Sequence, residues 1–228
     1  MKEQRAVSRL SCKEFVTCAM QGITRFRVVE SMRLLFLVFL LPFALCAGEP
    51  LILCGGAECF VIDSAAEKPV KTWSWRAKDH PELPAELIKT FGTTTDCKLI
   101  DNGKSLLISS SGGGCALIEY PAGKVLWSAR VGNAHSLAAL PGGRIIVAGS
   151  LGANKLVLFD RTKGAQILWE TACHSAHGVV WDEKRQRVYA LGFQELRLYQ
   201  LQNWSGEKPA LSLESTLPLP DPGGHDMS

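Results

Sequence analysis

Short apolar runs separated by tight turns recur from residue 51 to the end of the chain. Residues 51–54, 59–63 and 70–75 read as three strands, the first turned by Gly55-Gly56-Ala57. A second group covers 97–100, 105–109, 115–120 and 124–128, parted by Asn102-Gly103, Gly112-Gly113-Gly114 and Pro121-Ala122-Gly123. Asn-Gly between apolar runs is a strong hairpin signal. A third group covers 136–140, 144–148, 155–160 and 165–170. A fourth runs from His177 through 187–191 and 195–199 to a weaker run at 210–213.

The groups are in phase. Asp96 to His135 is 39 residues, His135 to His177 is 42, and His177 to His225 is 48. Four short strands in each 40–45 residues is the signature of a propeller blade. The predicted fold class is therefore all-β, a β-propeller of four-stranded blades. The blades occupy residues 51–95, 96–134, 135–176 and 177–224, with another opening at 225. One such sheet cannot bury both of its faces, so the core must lie between blades. That explains why residues 145–148 are apolar on both sides instead of alternating. Propeller rings commonly have six to eight blades, so the expectation is a fragment of a larger ring. The alternative is a four-bladed ring in which residues 225–228 complete unit one, whose innermost strand is lacking before Leu51. An open arc would present an unpaired blade face, a liability for self-association.

Residues before 48 look different. Met32-Arg33 leads into a run of leucine, phenylalanine and valine ending at Ala44-Leu45-Cys46-Ala47, the layout of a secretory signal peptide over 32–47. The run is too short for a stable membrane span, which needs about 20 residues. Residues 1–31 read as a mis-assigned or unstructured extension, or as a long n-region. A periplasmic or secreted location follows as the expectation. The leader also changes the charge. Residues 1–47 hold seven Lys or Arg and three acids, leaving 18 basic and 19 acidic side chains in the remainder. The net charge of +3 thus belongs to the leader, and the near-neutral remainder excludes a nucleic-acid footprint. Five cysteines follow it: Cys54, Cys59, Cys97, Cys115 and Cys173. None has C-x-x-C spacing, and all read as small buried residues or as disulfide partners of undetermined pairing.

Leu158-Phe159-Asp160-Arg161-Thr162-Lys163-Gly164-Ala165-Gln166-Ile167-Leu168-Trp169-Glu170 resembles the blade repeat of quinoprotein-like (PQQ-type) propellers: an aspartate, a threonine-glycine turn and a strand ending in tryptophan. Residues 119–127 are a looser copy without the Asp and Thr. The openings Asn133-Ala134-His135-Ser136, Ala176-His177-Gly178 and Gly223-Gly224-His225-Asp226 are similar to those of secreted, uncharacterised bacterial propellers. The resemblance implies the fold and leaves the activity open. It reaches only the structural turn and the tryptophan, so PQQ itself is not expected.

Each tryptophan, Trp127 and Trp169, precedes a histidine by eight residues. The histidines therefore open inner strands on one face of the ring, and Asp96, His135, His177 and His225 are placed around one channel mouth. Lys98, two residues beyond Asp96, points the same way. These five are the candidate ligand-binding residues. His135, His177 and His225 with Asp96 form a possible site for a divalent metal. Structural turn-capping is the competing reading of the same histidines. His80 lies in the long insertion over residues 76–95, which reads as a loop with a short helical plug on the histidine face. His174 reads as exposed, and Trp127 and Trp169 as packing between blades. Gly112-Gly113-Gly114 is not a phosphate loop, because no Lys-Ser/Thr and no helix follow it. The expected function is an exported binding module for a small molecule, carbohydrate or protein. The alternatives are a metal-assisted, lyase-like carbohydrate enzyme and a quinone-cofactor dehydrogenase.

Overall fold

A computed structural model describes residues 50–227, which lie in one compact unit. The expected extension and signal peptide fall outside the described residues. Fifteen strands form three four-stranded antiparallel sheets and one three-stranded sheet. Blade one is β1 (Leu51–Gly55), β2 (Glu58–Asp63) and β3 (Val70–Trp75). Blade two is β4 (Thr94–Ile100), β5 (Ser105–Ser110), β6 (Gly114–Glu119) and β7 (Val125–Arg130). Blade three is β8 (Ala134–Leu140), β9 (Arg144–Gly149), β10 (Lys155–Asp160) and β11 (Ile167–Ala172). Blade four is β12 (Gly178–Asp182), β13 (Arg187–Leu191), β14 (Glu195–Gln202) and β15 (Ala210–Pro218). Each sheet is a meander in which every strand pairs with the next in sequence.

The core is divided as the repeat requires, into three layers between four blades. One layer joins Cys59 and Trp75 of blade one to Leu106, Ile108, Ala116 and Ile118 of blade two. The next joins Leu107, Leu117 and Trp127 to Leu137, Val147, Val157 and Phe159 of blade three. The last joins Ile146, Leu156 and Leu158 to Val179, Val188 and Tyr199 of blade four. Alternate residues of one strand thus serve two different layers, and β5 and β9 are buried almost throughout. Indole N–H groups tie neighbouring blades. Trp75 Nε1 donates to Gly123 O at 3.1 Å, and Trp127 Nε1 donates to Gly164 O at 2.8 Å. These tryptophans pack between blades, as their position in the repeat implies.

One departure from the sequence reading and one agreement are informative. The last strand of blade four runs to Pro218, well past the apolar residues that announce it. Beyond Leu213 its side chains are largely exposed, so hydrophobicity could not mark its end. The insertion over 76–95 does carry a short helix, α1 (Ala85–Ile88). Its Leu83, Leu87 and Phe91 side chains fill the cleft between blades one and two. His80 stacks on Trp75, with ring centroids 5.1 Å apart.

Candidate functional site at the histidine mouth

Three histidines converge. The ring centroids of His135 and His177 are 4.4 Å apart, those of His177 and His225 4.8 Å, and those of His135 and His225 6.3 Å. His135 belongs to β8, His177 immediately precedes β12, and His225 lies in the segment after β15. A shared local device aims them. Two residues before each histidine the backbone has positive φ: 48° at Asn133, 48° at Ser175 and 97° at Gly223. Asparagine and glycine tolerate this region well. Serine tolerates it less, and its amide is held by Asn154 Oδ1 at 2.9 Å.

Each of the two half-buried histidines has a defined partner. His135 Nε2 lies 3.1 Å from Asn133 Oδ1. His177 Nδ1 lies 2.8 Å from the carbonyl oxygen of Ser175, which can only accept, so Nδ1 carries the proton. Ser150 Oγ lies 3.2 Å from Nε2 of the same ring, where it donates to the free lone pair. Ser150 and Ser175 are both buried. The sequence reading missed Asn133, Ser150 and Ser175. The signal for Asn133 and Ser175 was their common offset from the histidines; nothing in the repeat marked Ser150.

Burial, and then the proximity of His177 and His225, hold the pKa of His135 below its ordinary 6.5. A histidine depressed in the folded state favours folding when neutral. Its contribution is complete above the unfolded value and is lost as pH falls through the folded value. The protein is therefore expected to lose stability as the solution is acidified below about pH 6.5. His135→Gln should flatten that dependence in urea titrations run at several pH values. An unchanged slope would remove His135 from the account.

Asp96 and Lys98 do not occupy the position equivalent to His135. In blades two and three the strand pairing slips by one residue, between Thr94 and Asp96 and between Ala134 and Ser136. The unpaired residues at these bulges are Thr95 and His135. Thr95 is thus the counterpart of His135, and Asp96 is the counterpart of Ser136, one step further along the strand. There Asp96 Oδ2 accepts hydrogen bonds from Ser136 Oγ at 2.9 Å and Leu137 N at 3.3 Å, and pairs with Lys98 Nζ at 3.0 Å. Lys98 Nζ also donates to Ser136 Oγ at 3.0 Å and to Val179 O at 3.1 Å. Val179 N donates to Ser136 Oγ at 3.3 Å. The Ser136 hydroxyl therefore uses its one donor and both lone pairs. This knot joins the inner strands of blades two, three and four.

Below the knot, Lys98, Leu99, Ile100, Ala138, Ala139, Val179, Val180 and Trp181 line a bowl of about 380 Å³. A larger hollow of about 490 Å³ lies beside His174, on blade four. Among the described residues no three His, Cys, Asp or Glu side chains are arranged to hold a metal ion. Three imidazoles are a donor set suited to a transition metal. As placed, however, His177 Nδ1 is committed to a carbonyl, and Asp96 is committed to Lys98 and Ser136.

The sheets, their meander order and the interblade cores define a β-propeller. The chain belongs to a family of unknown function, DUF6528, whose profile matches residues 51–201. No curated protein matches it. Among solved structures, a chain of the mitotic checkpoint complex crystal structure is similar, with a TM-score of 0.58 and 9% sequence identity. The alignment covers 75% of this chain and 52% of that one, so this chain spans about half of its length. At that identity the likeness speaks for the fold alone. Among the described residues no helix is long and apolar enough to cross a membrane.

Proposed function

We propose that this protein is an exported binding module that takes a small molecule, a carbohydrate or a protein segment at the histidine mouth. The observation that carries the reading is the convergence of His135, His177 and His225 from successive repeat positions to centroid distances of 4.4–6.3 Å. Repetition alone accounts for a turn-capping histidine in each blade. It does not require the rings to meet. Imidazole offers one donor and one acceptor when neutral, which suits hydroxyl-rich ligands, and it gains a proton readily beside a carboxylate. The exported location rests on the leader-like sequence over 32–47.

The test is a thermal-shift screen of neutral and acidic oligosaccharides and short peptides, followed by affinity measurement. His135→Ala/His177→Ala is expected to weaken the best ligand at least tenfold, about 1.4 kcal/mol, while unfolding in one cooperative transition. An unchanged affinity in that folded double variant would move the site elsewhere. Metal content, measured on the same samples, separates the lyase-like alternative. Stoichiometric metal in the wild type that is lost in the double variant would favour it over the binding module.

A further inference from the structure

Three thiols meet where blades one and two touch. Cys54 and Cys59 are direct cross-strand partners in the β1–β2 hairpin, so they project from one face of the sheet. That face is turned towards blade two. Cys59 is fully buried in the core layer between the two blades, and Cys54 and Cys97 pack against that layer. Cys97 arrives on β4, and its thiol interacts with both Cys54 and Cys59. All three are free thiols. Cys115 and Cys173, by contrast, sit singly in the other two core layers.

We propose that Cys54 and Cys97 form a reversible disulfide site that clasps blade one to blade two, with Cys59 remaining a thiol. The choice of pair follows from topology. A Cys54–Cys59 bond would close a hairpin whose ladder is already complete, and it would constrain nothing beyond that hairpin. A Cys54–Cys97 bond closes a loop containing β2, β3 and the whole insertion, and a longer closed loop removes more freedom from the unfolded chain. It also acts at one end of the blade series, where blade one joins the rest through a single core layer among the described residues.

The reaction needs an external disulfide. The Cys54 thiolate, on the more accessible of the two hairpin cysteines, attacks one sulfur of that compound and releases one small thiol. Cys97 then loses its proton and attacks the Cys54 sulfur of the mixed disulfide, expelling the second small thiol. Two protein thiols become one bond, and one external disulfide becomes two thiols. Protonation slows the folded protein. Hydrogen bonding to Cys97, then burial, raises the Cys54 pKa, and the charges of Cys97, Asp96 and Asp226 add to this. At Cys97 the hydrogen bond from Cys54 acts downward. The Cys59 hydrogen bond and burial outweigh it, and the pKa is pushed up to about 12. Formation during folding, when the thiols are ordinary, is the faster route.

The test uses the full chain, reduced and refolded in a glutathione redox buffer at pH 8, then alkylated and digested without reductant. Mass spectrometry is expected to find the Cys54 peptide joined to the Cys97 peptide. The oxidised protein should melt about 5 °C or more above the reduced protein. Cys97→Ser should abolish both the joined peptide and the shift, and Cys59→Ser should keep both. The proposal is overturned if all three thiols remain open to alkylation, or if Cys54 is joined to Cys59 with Cys97 free. Persistence of the shift in Cys97→Ser would also overturn it. Peptide mapping of the wild type decides the matter even if a variant fails to fold.

Discussion

Replacing Asp96 by leucine is expected to lower the free energy of unfolding by about 3 kcal/mol. The carboxylate is the acceptor on which the knot depends. Without it, Lys98 keeps a charge among the inner strands of three blades, and the Ser136 hydroxyl and Leu137 amide lose their acceptor. Stranding one member of a buried pair costs more than removing both. Lys98 retains 23% side-chain exposure, which lets water reach the ammonium and places the cost at the low end of the buried-pair range. Lys98→Met should cost less, because Asp96 keeps two neutral donors. The double variant Asp96→Leu/Lys98→Met should be more stable than Asp96→Leu alone. A urea-denaturation cycle measures this coupling. Strict additivity of the two single changes would show that the pair is not an energetic unit.

The largest loss is expected at Phe159. Its side chain is 1% exposed and lies in the layer between blades two and three, against Trp127 at a centroid distance of 5.3 Å. Phe159→Ala should cost about 4 kcal/mol, from lost transfer energy and from the cavity left between two sheets that cannot easily close upon it. The control is Leu213→Ala, at a position 52% exposed, which should change stability by about 0.5 kcal/mol or less. Denaturant midpoints for the two variants give the comparison. Similar losses at both positions would mean that the interblade layers do not hold the molecule together.

Much of this architecture was readable from residue order. A turn every few residues, with a polar opening every 39 to 48, is enough to give four blades, because each sheet is a local meander. Burial on both faces of β9 was legible for the same reason: Ile145, Ile146, Val147 and Ala148 leave no polar side. Phase placed His135, His177 and His225 at equivalent positions of successive units, but it did not require their rings to approach within 4.4–6.3 Å. What phase could not show was the slip in the ladder. Counting residues aligned Asp96 with His135, but the bulges at Thr95 and His135 align Asp96 with Ser136. A bulge is a choice of hydrogen-bond partners, and one extra residue leaves no compositional trace. Ser136 was illegible for a related reason. A serine between alanine, histidine and leucine reads as filler, until three strands bring Asp96, Lys98 and Val179 to its one oxygen. The thiol cluster belongs with these. Cys97 lies far from Cys54 in sequence, and only the contact of β1 with β4 joins them.

The knot of Asp96, Lys98 and Ser136 has a consequence for traffic along the inner wall. It stands between the histidines at one end of the inner strands and the apolar bowl under Lys98 at the other. Lys98 spans from β4 to Val179 of β12, so bonded side chains cross the inner wall between those ends. A guest at the histidines, as proposed above, and one against Trp181 would lie on opposite sides of this knot.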